Sequence, residues 1–160
     1  MRIGLISDTH IPNAGKTLPS QVLQALAGVD LILHAGDLSV SSVLEWLGEI
    51  APVVAVKGNE DIFVMDVKLE NQRVIHVDGI KIGLVHQLLY PDMPLAYTFP
   101  EAVDVVVFGD THEVVVEREN GLLLINPGSP TFPNNRRELG TVGILEVGDG
   151  RPRAEIIQLS

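Results

Sequence analysis

Five short segments of this sequence carry side chains suited to holding divalent cations: Asp8-Thr9-His10, His34-Ala35-Gly36-Asp37, Gly58-Asn59-Glu60-Asp61, His86, and Gly109-Asp110-Thr111-His112. A mixture of carboxylate, imidazole and carboxamide suits manganese, iron, zinc or nickel better than magnesium or calcium, which favour all-oxygen shells. Side chains at i and i+2 of an extended segment project to one side. Asp8 with His10, and Asp110 with His112, are therefore expected to grip an ion in pairs. Asp37 offers two oxygens and can bridge two cations. Gly36, Gly58 and Gly109 precede candidate ligands and read as tight turns that need unusual dihedrals. Each piece alone is weak, because Asp-x-His after a strand is more often structural and Gly-Asp or Gly-Asn pairs are everyday turn residues. The force of the pattern lies in co-occurrence. His34 is expected to support ligands rather than be one, and His76 to face solvent from a strand. Ala14-Gly15-Lys16-Thr17 imitates a phosphate-cradling nucleotide loop, but that loop needs a glycine where His10 stands.

The elements that must position these residues follow from apolar periodicity. Ile3 to Ile6, Leu31 to Leu33 and Val53 to Val56 read as buried strands. Between them lie helices from about Pro19 to Gly28 and from about Ser42 to Ile50, the second with capping-box spacing at Ser42 and Glu45. Strand, helix, strand, helix, strand predicts a parallel, doubly covered sheet. The second half reads as strands at 67–70, 73–77, 80–85, 103–108, 114–118, 122–125, 142–147 and 154–159. Asp78-Gly79 and Asn120-Gly121 mark tight hairpins, and Gly148-Asp149-Gly150 a closing one. Tyr90 to Pro100 is a loop or broken helix. The fold class expected is α/β: one domain, residues 1–160, of two facing mixed β-sheets with helices outside. Nearly every candidate ligand falls just beyond a strand end, where α/β sheets bind their ligands.

Composition narrows the classes further. The 160 residues are 46% hydrophobic but include only one Trp, two Tyr and four Phe, so the core is aliphatic. A formal charge of −10 works against non-specific nucleic-acid binding. Bound cations would reverse the local field and admit an anionic substrate all the same. There is no cysteine, which excludes disulfides and thiolate catalysis. No apolar stretch approaches a membrane span, and the N-terminus lacks a secretory pattern. A cytoplasmic protein without a membrane segment is the expectation.

In their order, Asp-x-His, Gly-Asp, Gly-Asn-x-Asp, a lone His and Gly-x-x-His resemble the calcineurin-like metallophosphoesterase superfamily. Ser7-Asp8-Thr9-His10-Ile11-Pro12, His34-Ala35-Gly36-Asp37, Gly58-Asn59-Glu60-Asp61 and Asn126-Pro127-Gly128-Ser129-Pro130 resemble its small bacterial and archaeal phosphodiesterase branch. That branch also includes the retromer scaffold subunit. The resemblance, which runs from the first strand to about Pro130, implies an αββα sandwich and hydrolysis of a small phosphate ester, in particular a phosphodiester. It implies a first metal on Asp8, His10, Asp37 and His112, and a second on Asp37, Asn59, His86 and Asp110. A hydroxide bridging the two ions, about 3.5–4 Å apart, would attack phosphorus in line.

Three departures bear on this expectation. Asp110 stands where the family usually has histidine, which gives either a harder, manganese-like second site or a weak one left partly empty. Glu60 stands where monoesterases and nucleases of the superfamily have a histidine general acid, and would serve as the acid only with a raised pKa. Gln87 and Leu88 replace a usual glycine and histidine. Gly128 and Ser129 either hydrogen-bond phosphate or shape the rim. A non-catalytic interaction scaffold on the same fold is the competing reading.

Overall fold

A computed structural model describes all residues, 1–160. Ten strands form two five-stranded mixed sheets. The first has the order β10-β9-β1-β2-β3 and contains β1 (Arg2–Ile6), β2 (Leu31–His34), β3 (Val53–Ala55), β9 (Thr141–Glu146) and β10 (Arg153–Gln158). The second has the order β4-β5-β6-β8-β7 and contains β4 (Gln72–Val77), β5 (Ile80–Val85), β6 (Val105–Val107), β7 (Val114–Glu119) and β8 (Leu122–Pro127). β1, β2 and β3 are mutually parallel, as are β5, β6 and β8. The sheets face each other across an aliphatic core in which Ile3, Leu5, Leu33, Ile82, Leu84, Val105, Leu123 and Leu145 are buried. Truncating such a residue to alanine costs about 2–5 kcal/mol.

The outer faces are covered differently. α1 (Ser20–Ala25) and α2 (Ser42–Gly48) both lie on the first sheet, setting Val22, Leu26, Val43 and Leu47 against Ile6, Ile32 and Ile144. The second sheet has no α-helix. Its cover is the proline-rich segment after β5, irregular except for a 3-10 turn at Leu95–Tyr97. Phe99 anchors it: Gly83 in β5 leaves a notch in which a β-carbon would meet the Phe99 ring at 2.6 Å.

Several local expectations are corrected. Val67 to Glu70 makes no strand, only a single bridge between Glu70 and Val56. The capping box on Ser42 does not form: Ser41 is the N-cap, with no side-chain capping bond, and its hydroxyl donates to Asp66 instead. Both helices are shorter than their apolar stripes suggest, since packing rather than propensity holds such short helices. The Asp78-Gly79 and Asn120-Gly121 hairpins form as expected, with positive φ at both central residues of each. No helix is long and apolar enough to cross a membrane.

Candidate metal centre

Parallel strands of both sheets end at one rim. β1 leads to Asp8 and His10, β2 to Asp37, β3 to Asn59 and Glu60, β5 to His86, and β6 to Asp110 and His112. Backbone bonds tie these loops together: Asp8 N–H to Gly36 O at 2.9 Å, His10 N–H to Asp37 O at 3.0 Å, and Gly109 N–H to His86 O at 2.9 Å. All seven expected ligands meet at this edge.

Two clusters result. In the first, the Nε2 atoms of His10 and His112 are 3.0 Å apart, and lie 3.8 and 3.5 Å from Asp8 Oδ1. In the second, His86 Nε2 lies 3.3 Å from Asp37 Oδ2 and 3.5 Å from Asp110 Oδ1. Asn59 Nδ2 donates to Asp110 Oδ1 at 3.0 Å. Asp37 Oδ2 is also 3.6 Å from His10 Nε2, so this carboxylate sits between the clusters as a bridge would. Asp8 shares that position, since its oxygens lie close to both ligand groups.

The outer nitrogens of the rings are already committed. His86 Nδ1 donates to Ala35 O at 2.8 Å, and His112 Nδ1 to Phe132 O at 2.9 Å. His10 Nδ1 is 2.9 Å from Glu60 Oε2. With Nδ1 so engaged, each ring in its neutral form would turn the Nε2 lone pair inward among carboxylates. Asp8 Oδ1 and His86 Nε2 are buried without a hydrogen-bond partner. Carboxylates and imidazole nitrogens that converge in this way fit a cation, and orphaned buried polar groups are otherwise costly. A proton answers the same field. Burial by itself would lower the His10 and His86 pKa values. Asp8 and Glu60 raise His10, and Asp37 with Asp8 raises His86, each to about 9. Burial would raise Asp8 too, but the facing imidazoles and the Ser7 hydroxyl hold its carboxyl well below the usual range.

The backbone departs from expectation here. Asp8, His10, Asp37, Asp110 and His112 all have positive φ, from 47° to 74°, so the Asp-x-His pairs are not extended. These five converge with the others because the chain enters the left-handed region at each of the five, a costly state that the surrounding packing must enforce. Of the three glycines, only Gly36 has a positive φ. Gly58 and Gly109 are needed for space instead: a β-carbon on Gly58 would run into Asp37, and one on Gly109 into Ser7 and Asp8.

Other residues fall as follows. His34 is fully buried, accepts from Gly36 N–H at 3.1 Å, pairs with Thr9 Oγ1, and is held neutral by burial, which pushes its pKa down to about 4. His76 is exposed and pairs with Glu101. Gly128 N–H is bound to Asn126 Oδ1, and the buried Ser129 hydroxyl donates to Asp8 O at 2.7 Å, so these two donors are committed to holding the rim together. Three residues carry weight that the sequence reading did not assign. Asp61, buried, accepts from the backbone N–H groups of Asp37, Gly58 and Ser39 at 2.8 Å each. Asn126 Nδ2 donates to Gly109 O at 3.0 Å. The Phe132 ring meets His10 and His112 edge-on, with centroids 5.8 and 5.7 Å away. Asp61 was legible as the last residue of Gly-Asn-x-Asp, but nothing local marks Phe132.

A model of the calcineurin-like phosphoesterase superfamily domain matches residues 1–150. The chain belongs to that superfamily. It is 37% identical to the probable metallophosphoesterase of Methanothermobacter thermautotrophicus, over 99% of this chain and 92% of that protein. It is 30% identical to a phosphodiesterase of Methanocaldococcus jannaschii, over 91% of this chain and 93% of that one. Its fold matches Vps29 from Entamoeba histolytica, solved with zinc, with a TM-score of 0.77 at 24% identity over the whole of both chains. The family uses divalent metals, and the rim supplies a candidate ligand set for them.

Proposed function

We propose that this phosphoesterase holds two divalent cations at the rim and hydrolyses a small phosphodiester. The observation that carries the reading is the inward convergence of acceptors, with Asp8 Oδ1 and His86 Nε2 buried and unpartnered. Asp8, His10, Asp37 and His112 would hold one ion, and Asp37, Asn59, His86 and Asp110 the other. Bound there, such ions lower the pKa of a coordinated water and neutralise charge on phosphoryl oxygens. The chain's own part is to orient the ligands and to shape the approach. His86 and His112 have their Nδ1–H groups fixed on backbone carbonyls, which aims each Nε2 inward.

A diester is favoured over a monoester by charge. The lip carries Glu60, a carboxylate outside the ligand set, beside the partly exposed ligand Asp110, and together they repel a dianionic monoester more than a monoanionic diester. Beside His86 and Asn59 opens a cleft of ≈ 390 Å³, also lined by Lys57, Ile62, Asn71 and Gln87. It is sized for one ester arm of a small substrate, and its lysine has no carboxylate within ion-pair distance to neutralise it. A larger cavity of ≈ 580 Å³ around Arg2, Asp30, Glu146 and Arg153 lies at the opposite end of β1, where both charge signs mix and no acceptors converge. Manganese is the ion of choice, because Asp110 and Asn59 add hard oxygen ligands to the second cluster. The cysteine-free chain suits a reducing cytoplasm. The purified protein should turn over an aryl phosphodiester with added manganese; no turnover across diesters and monoesters in any divalent metal would overturn the reading.

The scaffold alternative draws on a specific feature: Ile62, Phe63 and Met65, directly after the Asn59 turn, are 58%, 83% and 87% exposed. A protein partner covering this lip would account for them, and the fold is shared with Vps29. That reading predicts an intact fold with no metal-dependent hydrolysis.

A further inference from the structure

Glu60 occupies the position at which the resemblance places a proton donor, yet its contacts point elsewhere. Oε2 lies 2.9 Å from His10 Nδ1 and also accepts from the Ser39 hydroxyl at 3.4 Å. Its backbone N–H donates to Asp37 Oδ1 at 2.9 Å, leaving Oδ2 to face His10 and His86. One residue thus touches the outward side of two candidate ligands from different strands.

We propose that Glu60 is a positioning residue for the metal centre, holding His10 with its proton on Nδ1 so that the Nε2 lone pair points at the cation. The three imidazoles are not secured alike. His86 and His112 donate to the carbonyls of Ala35 and Phe132, which no substitution at those positions removes. His10 alone depends on a side chain. Without an acceptor at Nδ1, the His10 ring loses its preferred tautomer: the His112 and Phe132 rings do not restore it, and the Asp8 and Asp37 carboxylates lie on the Nε2 side and favour the proton there. Hydrogen-bonded carboxylates behind metal-bound histidines fix ring orientation and raise ligand basicity, and their loss costs about 10–100-fold in metal affinity. The Glu60 side chain is about half exposed, 49%, so its replacement leaves the core intact.

This inference rests on the metal-centre reading, and the experiment separates their failures. Manganese binding is measured by titration calorimetry on the wild type, Glu60→Ala and Glu60→Gln, with circular dichroism melts to verify folding. Glu60→Ala should weaken the ion bound by His10 by at least about 10-fold. Glu60→Gln, whose amide oxygen still accepts from Nδ1–H, should recover most of that loss. Turnover of aryl phosphodiesters graded in leaving-group pKa supplies the second readout. A positioning residue lowers every rate by the same factor, whereas a general acid costs most with the poorest leaving group. In the zinc-loaded protein, nitrogen-15 shifts of the His10 ring should show Nδ1–H in the wild type and in Glu60→Gln, and a changed or averaged pattern in Glu60→Ala. A wild type that binds no metal sinks the metal centre itself. A wild type that binds, alongside a folded Glu60→Ala of equal affinity or a leaving-group-dependent loss, sinks the positioning role alone.

Discussion

The two halves of the rim are built to different standards. Asp8, His10 and His112 are buried, and the Phe132 ring closes over both imidazoles. Apart from the shared, buried Asp37, the other half is buried only at His86, while Asn59 is exposed and the Asp110 side chain is 27% exposed. Asp110 is steadied by amide donors of Asn59 and Gln87 at 3.0 and 3.4 Å, bonds made where water competes for them. Electrostatic attraction is stronger where water is excluded, so the dry half should hold its ion more tightly than the wet one. With ions bound as proposed, the arrangement would pair a preformed, rigid site with an adjustable one at the exposed lip. Four measurements test that contrast, and they run from the largest expected effect to the smallest.

Asp37 belongs to both halves, so its removal should erase the difference between them. Asp37→Ala is expected to reduce turnover to background and to weaken both manganese sites in calorimetry, with no graded remnant. If one full-strength site survives, the two halves are independent and Asp37 bridges nothing.

Gly58→Ala tests how the halves are held together. The added β-carbon would press on the backbone and carboxylate of Asp37, while Gly58 N–H is bound to Asp61 at 2.8 Å and cannot shift freely. Overpacking of this kind costs about 1–3 kcal/mol. A lowered melting temperature together with weakened metal binding is expected. A variant that melts like the wild type and binds two ions would mean that the Asp37 loop yields more easily than its bonds suggest.

Such constraints explain what could and could not be read from the sequence. Strand positions and the gathering of Asp8, His10, Asp37, Asn59, His86, Asp110 and His112 at one rim follow from apolar runs ending in polar triplets, because strand direction alone decides where those triplets emerge. The two sheets were legible for the same reason. How the ligands turn inward was not. Extended geometry predicted paired side chains, whereas both Asp-x-His turns enter the left-handed region under tertiary packing, which local propensity does not encode. Gly58 and Gly109 looked like turn formers and act as spacers against residues 21 and 101 or more positions away in sequence. Phe132 and the bond from Glu60 to His10 are long-range facts of the same kind. The cover of the second sheet escaped because it has no periodicity; one ring, Phe99, seats it in the Gly83 notch.

Asp110→His sharpens the contrast from the wet side. Imidazole restores the ligand type usual in the superfamily and adds no negative charge at the lip. Zinc affinity of the second site should rise by about 10-fold, and turnover in zinc with it, while the first site is unchanged. Equal stoichiometry, affinity and rate in the variant would show that residue 110 is not a ligand.

The smallest effect is a count of protons. In the metal-free protein His10 and His86 have pKa values raised to about 9, so at pH 7 both rings are protonated on the face that an ion would occupy. Because these folded-state values lie above the unfolded one, the two groups stabilise the metal-free protein fully below pH about 6.5, and that contribution is lost as pH rises through about 9. Metal must displace the same protons, so apparent affinity should climb between pH 7 and 9 and level off above. Calorimetry at pH 7 in buffers of different ionisation enthalpy should record the release of about one proton per ion. His10 serves the dry half and His86 the wet half, so nuclear magnetic resonance of the two rings during a zinc titration should show His10 losing its proton first. Simultaneous loss would mean that the halves fill as one, and the reverse order would place the tighter ion at the exposed lip.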